Sequence, residues 1–271
     1  VRVLYLGDIV GRSGRQLAVE KIPELRDQLK LDFVVVNGEN AAAGFGITRK
    51  IADELFSVGC DVITTGNHVW DQKETQTYIN EEPRLIRPLN FPEGTAGNGF
   101  GIFEASRGRK VLVMNVMGRI FMDPLDDPFA AVESVLKKQR LGGTVNFVLV
   151  DVHGEATSEK TAMGHFCDGR ASMVVGSHSH VPTADTRIFE GGTAYQTDAG
   201  MCGDYNSVIG MDKAEPLQRF TRKISTGRYT PALGDATICG MFVETDDKTG
   251  LAKRAEPLRI GAHLLEHIPT V

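Results

Sequence analysis

The chain has 271 residues, 41% hydrophobic and 24% charged, a balance that excludes collagen-like, mucin-like and intrinsically disordered classes. Its formal charge of −5, from 30 Lys and Arg against 35 Asp and Glu, argues against broad electrostatic binding to a nucleic-acid backbone or an anionic membrane. No run approaches the ~18 apolar residues of a membrane span.

In chain order, Val3 to Leu6 reads as a strand that breaks at Gly7-Asp8. Ala18, Ile22, Leu25 and Leu29 keep helical spacing, and Pro23 is expected near a helix start or at a kink. Phe33 to Val36 is an apolar strand, and Thr48 is placed to cap a helix with Ile51, Leu55 and Val58 inward. Val62 to Thr65, Val111 to Val116 and Val145 to Val152 are further strands. Asp127-Pro128 opens a helix with Phe129, Val132 and Leu136 on one face, and Met173 to Val175 closes the series. Thr186 to Phe189, Thr193 to Gln196, Ala236 to Val243 and Arg254 to Ile260 are strand-like with little helical pattern between them. The expectation is an α/β protein, a two-sheet sandwich flanked by helices, in one domain over 1–271. In it the last third supplies a second, more antiparallel sheet.

The four cysteines, at 60, 167, 202 and 239, form neither a Cys-x-x-Cys pair nor a disulfide framework. Cys60 and Cys239 read as buried small hydrophobes, while Cys202 sits in a loop-like stretch where a reactive thiol is an alternative. No leader-like segment opens the sequence, so the cytoplasm is the expected compartment.

The informative residues follow the strands: Asp8; Glu39 and Asn40; Asn67 and His68; His153; and His178 with His180. Each alone has an ordinary reading as a cap, turn or structural residue. Five strand ends delivering carboxylates, amides and imidazoles to the ligand-binding edge of an α/β sheet is another matter. Neutral imidazoles with carboxylate and amide oxygens suit Mn, Fe, Zn or similar ions, and the lack of thiolate argues against a structural zinc site. The donors are too many for one tetrahedral ion and suit two sharing a carboxylate. On an extended segment His178 and His180 would share a face.

These segments resemble the calcineurin-like metallophosphoesterase superfamily, and more narrowly its YmdB-type branch. The resemblance rests on Gly-Asp-Ile-Val-Gly at 7–11, Asn-Gly-Glu-Asn at 37–40, Gly-Asn-His-x-Trp-Asp at 66–71 and His-x-His-Val-x-Thr-Ala-Asp at 178–185. Val10 stands where the wider superfamily has His, Glu39 where it has a bridging Asp, and Ser177 separates Gly176 from His178. The resemblance implies iron or manganese, with zinc or magnesium as further candidates, and activity on phosphodiesters including 2′,3′-cyclic nucleotides.

On this reading the first ion takes Asp8, Glu39, Asn40 and His180, and the second takes Glu39, Asn67, His153 and His178. A hydroxide between them is the nucleophile, and His68 is the proton donor to the leaving oxygen. Thr183 and Asp185 are placed to orient the histidines. Phe45, Gly46, Ile47 and Trp70 are candidate substrate contacts, and Arg12 and Arg119 candidate phosphate contacts. The expected partner is a small phosphodiester, with RNA not indicated by the charge, no membrane, and no demonstrated interface for a homo-oligomer. Two other classes compete. A P-loop is one, but residues 7–14 have the wrong glycine spacing and no Lys; a non-catalytic metal-containing regulator is the other. A phosphomonoesterase on the same centre is a third alternative, disfavoured by the lack of Lys or Arg at the strand ends.

Overall fold

The computed structural model describes all 271 residues. Thirteen strands and six α-helices follow one another as β1 (Arg2–Leu6), β2 (Asp8–Ile9), α1 (Gly11–Gln28), β3 (Phe33–Asn37), α2 (Arg49–Ser57), β4 (Val62–Thr64), α3 (Thr75–Tyr78), β5 (Phe100–Ala105) and β6 (Arg109–Met117). Then come α4 (Pro128–Leu136), β7 (Phe147–His153), α5 (Thr157–Phe166), β8 (Met173–Ser177), β9 (Arg187–Ile188), β10 (Ala194–Gln196), β11 (Met201–Asp204), α6 (Ala214–Arg222), β12 (Ala236–Thr245) and β13 (Ala252–Gly261).

The strands form two mixed sheets. The first has the order β2-β11-β12-β1-β3-β4, with β13 also on β12; the second runs β5-β6-β7-β8-β10-β9. Strands β1, β3 and β4 are parallel to one another, as are β6, β7, β8 and β10. The two-sheet sandwich with outer helices is as expected, but the allocation of strands is not. The last third does not make a sheet of its own: β9 and β10 extend the second sheet, while β12 inserts antiparallel beside β1. Likewise the five polar strand ends belong to two sheets rather than one.

Side-chain alternation builds three apolar layers. Val3 and Tyr5 of β1 face inward with Phe33 and Val35, against Val111, Val113, Phe147 and Leu149 of the other sheet. Leu4, Leu6, Val34 and Val36 face outward and are covered by Ile22 and Leu25 of α1 and Ile51 and Leu55 of α2. On the far side Leu112, Val148 and Val174 pack against Val132 and Val135 of α4 and Met163 of α5. Such double burial explains the unbroken hydrophobic runs of the parallel strands.

The helix starts follow the sequence. The Thr48 hydroxyl accepts from the Ile51 N–H, and the Asp127 carboxylate from the N–H groups of Phe129 and Ala130. Helix α1, however, continues through Pro23 rather than starting or stopping there. Pro23 is exposed, so the carbonyl it cannot bond reaches water. All four cysteines are buried, and burial raises the Cys202 thiol pKa well above its usual value, which argues against the reactive-thiol alternative. Gly7 and Gly14 allow the close approach of residues 200–203: a Cβ on either would fall 1.8 Å from the carbonyl oxygens of Gly200 and Cys202 respectively. They are packing residues, not a phosphate loop.

One buried ion pair fixes the loop that follows β8. Lys160 of α5 is 1% exposed and its Nζ lies 2.7 Å from Asp198 Oδ2. Asp198 also accepts from the N–H groups of Ser179 and Gly200. Lys160→Met leaves that carboxylate buried without its cation, and equilibrium denaturation should register a loss of about 3–5 kcal/mol. The double variant with Asp198→Asn should recover part of it.

Candidate metal centre

The predicted residues converge at the common end of the two sheets. Asp8 opens β2, and Glu39 and Asn40 follow β3. Asn67 and His68 follow β4, His153 ends β7, and His178 and His180 follow β8. Asp8, Glu39, Asn40, His153 and His180 are at most 5% exposed; Asn67, His68 and His178 are half-buried.

Two groups of donors form. Single ligand atoms of Glu39, His153 and His178 lie within 4.8 Å of one another, as do those of Asp8, Glu39 and His180. Glu39 is common to both. Around His153 Nε2 stand Asn67 Oδ1 at 2.9 Å, His178 Nδ1 at 3.1 Å and Glu39 Oε1 at 3.3 Å. In the other group Asn40 Oδ1 is 3.3 Å from His180 Nε2. The Asn40 amide nitrogen donates to the Gly44 carbonyl, which leaves its oxygen for the site.

The donor set fits cations. Asp8 Oδ1 is buried with no hydrogen-bond partner, a costly state for a carboxylate oxygen unless a cation meets it. Burial raises the Asp8 pKa against the opposing pull of His180 and His153. Burial also disfavours charge on His153, but Glu39 and Asp8 outweigh it and raise that imidazole's pKa. The same coupling overcomes desolvation and lowers Glu39. Burial and then His153 push His178 down to about 3. Two buried carboxylates thus lie within one cluster, and the unpartnered Asp8 Oδ1 is open to a cation. The protein's own strands leave room: Gly66, between the two sheets' ligands, would place a Cβ 2.3 Å from both Glu39 Oε2 and His153 Nε2. Gly66→Ala should therefore empty the centre of metal, read by elemental analysis, while thermal unfolding stays cooperative.

Several supporting residues escaped the sequence reading. The Ser177 hydroxyl donates to Asp151 Oδ1 at 2.7 Å and accepts from His153 Nδ1 at 2.9 Å, which presents Nε2 to the site. Asp151 Oδ2 accepts from the Tyr5 hydroxyl at 2.8 Å, tying the relay to the opposite sheet. Asp151 and His153 sit at alternate positions of one strand, and that spacing is the signal that could have found the pair. The residue between Gly176 and His178 is thus a working member of the site. His180 donates from Nδ1 to the Ile209 carbonyl at 2.7 Å.

Other expectations need correction. His178 and His180 do not share a face of an extended segment; β8 ends at Ser177 and both histidines have positive φ, 94° and 65°. Such backbone is strained for these residues and persists because the surroundings hold it: Asp8 accepts from the His178 N–H and Asp198 from that of Ser179. Thr183 and Asp185 hydrogen-bond to no histidine; they bond to each other and to residues 197–198, and so support the Asp198 loop. Trp70 is partly buried, packs edge-on against Phe91 at 6.0 Å and lies against the core rather than lining the cavity over the cluster. Neither Arg12 nor Arg119 lines the cavity over the cluster, nor do Gly46 and Ile47, whereas Phe45 and His68 do. Val10, the departure at the first motif, packs with Met201 and the cavity-lining Met211, and its backbone bridges to Asn40.

A family model described as YmdB-like protein matches residues 4–258. The chain belongs to the YmdB-like family. A Bacillus subtilis relative named 2′,3′-cyclic-nucleotide 2′-phosphodiesterase is 44% identical over 260 residues, covering 96% of this chain and 97% of its own length. Two solved structures share the YmdB-like fold throughout. A Thermus thermophilus protein described as hypothetical has a TM-score of 0.89 at 41% identity, covering 96% of this chain and 99% of its own. A Mycoplasma pneumoniae protein described as a novel phosphatase also has a TM-score of 0.89, at 32% identity, with 96% and 93% covered.

Proposed function

We propose that this YmdB-like chain is a metal-dependent phosphodiesterase acting on small phosphodiesters such as 2′,3′-cyclic nucleotides. The observation that carries the reading is the pair of donor groups sharing Glu39, joined to the named activity of the Bacillus subtilis relative. In this proposal Asp8, Glu39, Asn40 and His180 hold one divalent cation, and Glu39, Asn67, His153 and His178 hold the other. Iron or manganese suits this mixed oxygen and imidazole set. When bound, such ions would supply Lewis acidity toward a phosphoryl oxygen and a water of lowered pKa.

The chain's own residues account for the rest. No Lys or Arg lines the cavity, a lining better matched to the single negative charge of a diester than to a monoester. Hydrolysis adds water across one P–O bond: phosphorus gains an oxygen and the departing ribose oxygen gains a proton. His68 is assigned as the source of that proton. Its N–H donates to Glu39 Oε2, which fixes it beside the centre, and its Nδ1 is 2.8 Å from Asp71 Oδ2. Asp71 thereby holds the ring with Nε2 as the nitrogen left for proton transfer. Asp151 and Ser177 orient His153, while Asp198 and Lys160 hold the backbone of the His178–His180 turn.

The chain is further proposed to act as one domain, in the cytoplasm; no helix is long and apolar enough to cross a membrane. The test is elemental analysis of protein purified without chelator, followed by assay on 2′,3′-cyclic nucleotides and on the corresponding monophosphates. Stoichiometric transition metal with cyclic-diester hydrolysis is expected. Absence of metal after reconstitution with Mn or Fe, or faster cleavage of monoesters, overturns the reading.

A further inference from the structure

The cavity over the cluster, about 390 Å³, falls in the small-ligand range of roughly 300–1,000 Å³. Its two sides differ in kind. One is the polar cluster with His68, Ser179 and Glu155, whose Oε2 lies 3.3 Å from His178 Nε2. The other is an apolar wall of Phe45, Val208, Ile209, Met211, Phe220 and Tyr229, drawn mostly from a stretch, 208–229, to which the sequence assigned no function. Phe220 is 70% exposed and Ile209 52%, a large apolar surface left open beside a charged site, where water would otherwise be preferred.

Three members of the wall are anchored by specific contacts. Ile209 accepts from His180 through its carbonyl, which couples wall to centre. The Tyr229 ring is covered by the Arg219 guanidinium at 4.0 Å. Arg219 is in turn held at 2.6 Å by buried Glu215, which also accepts from the Ser225 and Thr226 hydroxyls. Phe45 lies edge-on to His68, centroids 5.0 Å apart, so the wall begins where the proposed proton donor stands. Apart from the Tyr229 hydroxyl, no wall side chain carries a hydrogen-bonding group.

We infer that this wall is a nucleobase subsite that reads ring area and not ring identity. The inference rests on the phosphodiesterase reading and extends it. With the cyclic phosphate at the Glu39 cluster, the base is the apolar planar part of the substrate, and the wall is the apolar side of the same cavity. Aromatic side chains accept every base because every base has a π face, whereas choosing among bases needs polar side chains aimed at their edges. The enzyme should therefore cleave all four 2′,3′-cyclic nucleotides with comparable kcat/KM, purines ahead of pyrimidines.

The experiment compares 2′,3′-cyclic AMP with a base-free probe, the 2,3-cyclic phosphate of methyl riboside, on Mn-loaded enzyme. Stacking on one aromatic platform corresponds to about a 5- to 150-fold preference in kcat/KM for the nucleotide. Phe220→Ala and Tyr229→Ala should shrink that ratio, chiefly through KM, and Tyr229→Phe should preserve it. Calorimetric Kd values for 3′-AMP against ribose 3-phosphate should move in parallel. A wild-type ratio near one, variants that slow both substrates equally, or more than ~100-fold discrimination between cyclic AMP and cyclic GMP would overturn the subsite while leaving the phosphodiesterase reading standing. Failure to cleave either substrate would instead remove that reading, and the subsite with it.

Discussion

Glu39→Ala is expected to lose both of the proposed cations at once. Its carboxylate is the one group common to the two donor sets, so removal of no other single donor reaches both. Turnover of a cyclic diester should fall by at least ~10²-fold, the loss that removal of even a residue supporting a ligand can produce. Elemental analysis should register the loss of metal beside wild type purified identically. Glu39→Gln retains volume and one oxygen but not the charge, and it should also fail to hold both ions. A variant with metal content intact would mean that the two groups do not share this carboxylate.

His68→Ala behaves in the opposite way. The residue approaches the centre through its backbone, donating its N–H to Glu39 Oε2, while its ring is engaged by Asp71 and Phe45. Removing the ring leaves that N–H in place, so metal content should match wild type while kcat drops ~10²–10⁴-fold, the usual worth of a positioned proton donor. A diester with a good leaving group, such as a nitrophenyl ester, needs little protonation of the departing oxygen and should be affected far less than a cyclic nucleotide. Equal losses on both substrates, or loss of metal, would assign His68 a structural task instead.

The centre was legible because each parallel strand is an apolar run that stops abruptly at glycine and polar residues. Asp8, Glu39, Asn67, His153 and His178 all carry that signature, and position at a strand end is a local property. What supports them was less visible. Lys160 lies on α5, whose Thr- and Gly-containing sequence lacks an apolar stripe, and nothing local announces that its ammonium meets Asp198. Helix α6 was missed because its large apolar residues, Leu217 and Phe220, are both exposed and make no inward face to recognise. Half-exposed β5 alternates across two glycine-bounded positions, and β11 reads as a loop. The division of strands between sheets depends on pairings such as β1 with β12, more than 200 residues apart, which periodicity does not encode. The His178–His180 turn shows the same limit: the residue types were informative, the left-handed backbone was not.

Placing the donors on two separate sheets makes the interior between them a spacer with a tolerance. Asp8, Glu39 and Asn67 move with one sheet, His153 and His178 with the other, and the thickness of the layer holding Phe33, Phe147 and Met241 sets the gap. Protein interiors transmit strain rather than absorb it, and a misplacement of ~1 Å can cost 10²-fold in rate. Alignment of the reacting groups is thus held by hydrocarbon that never meets the substrate, and a side chain trimmed deep in that layer would detune the chemistry from a distance.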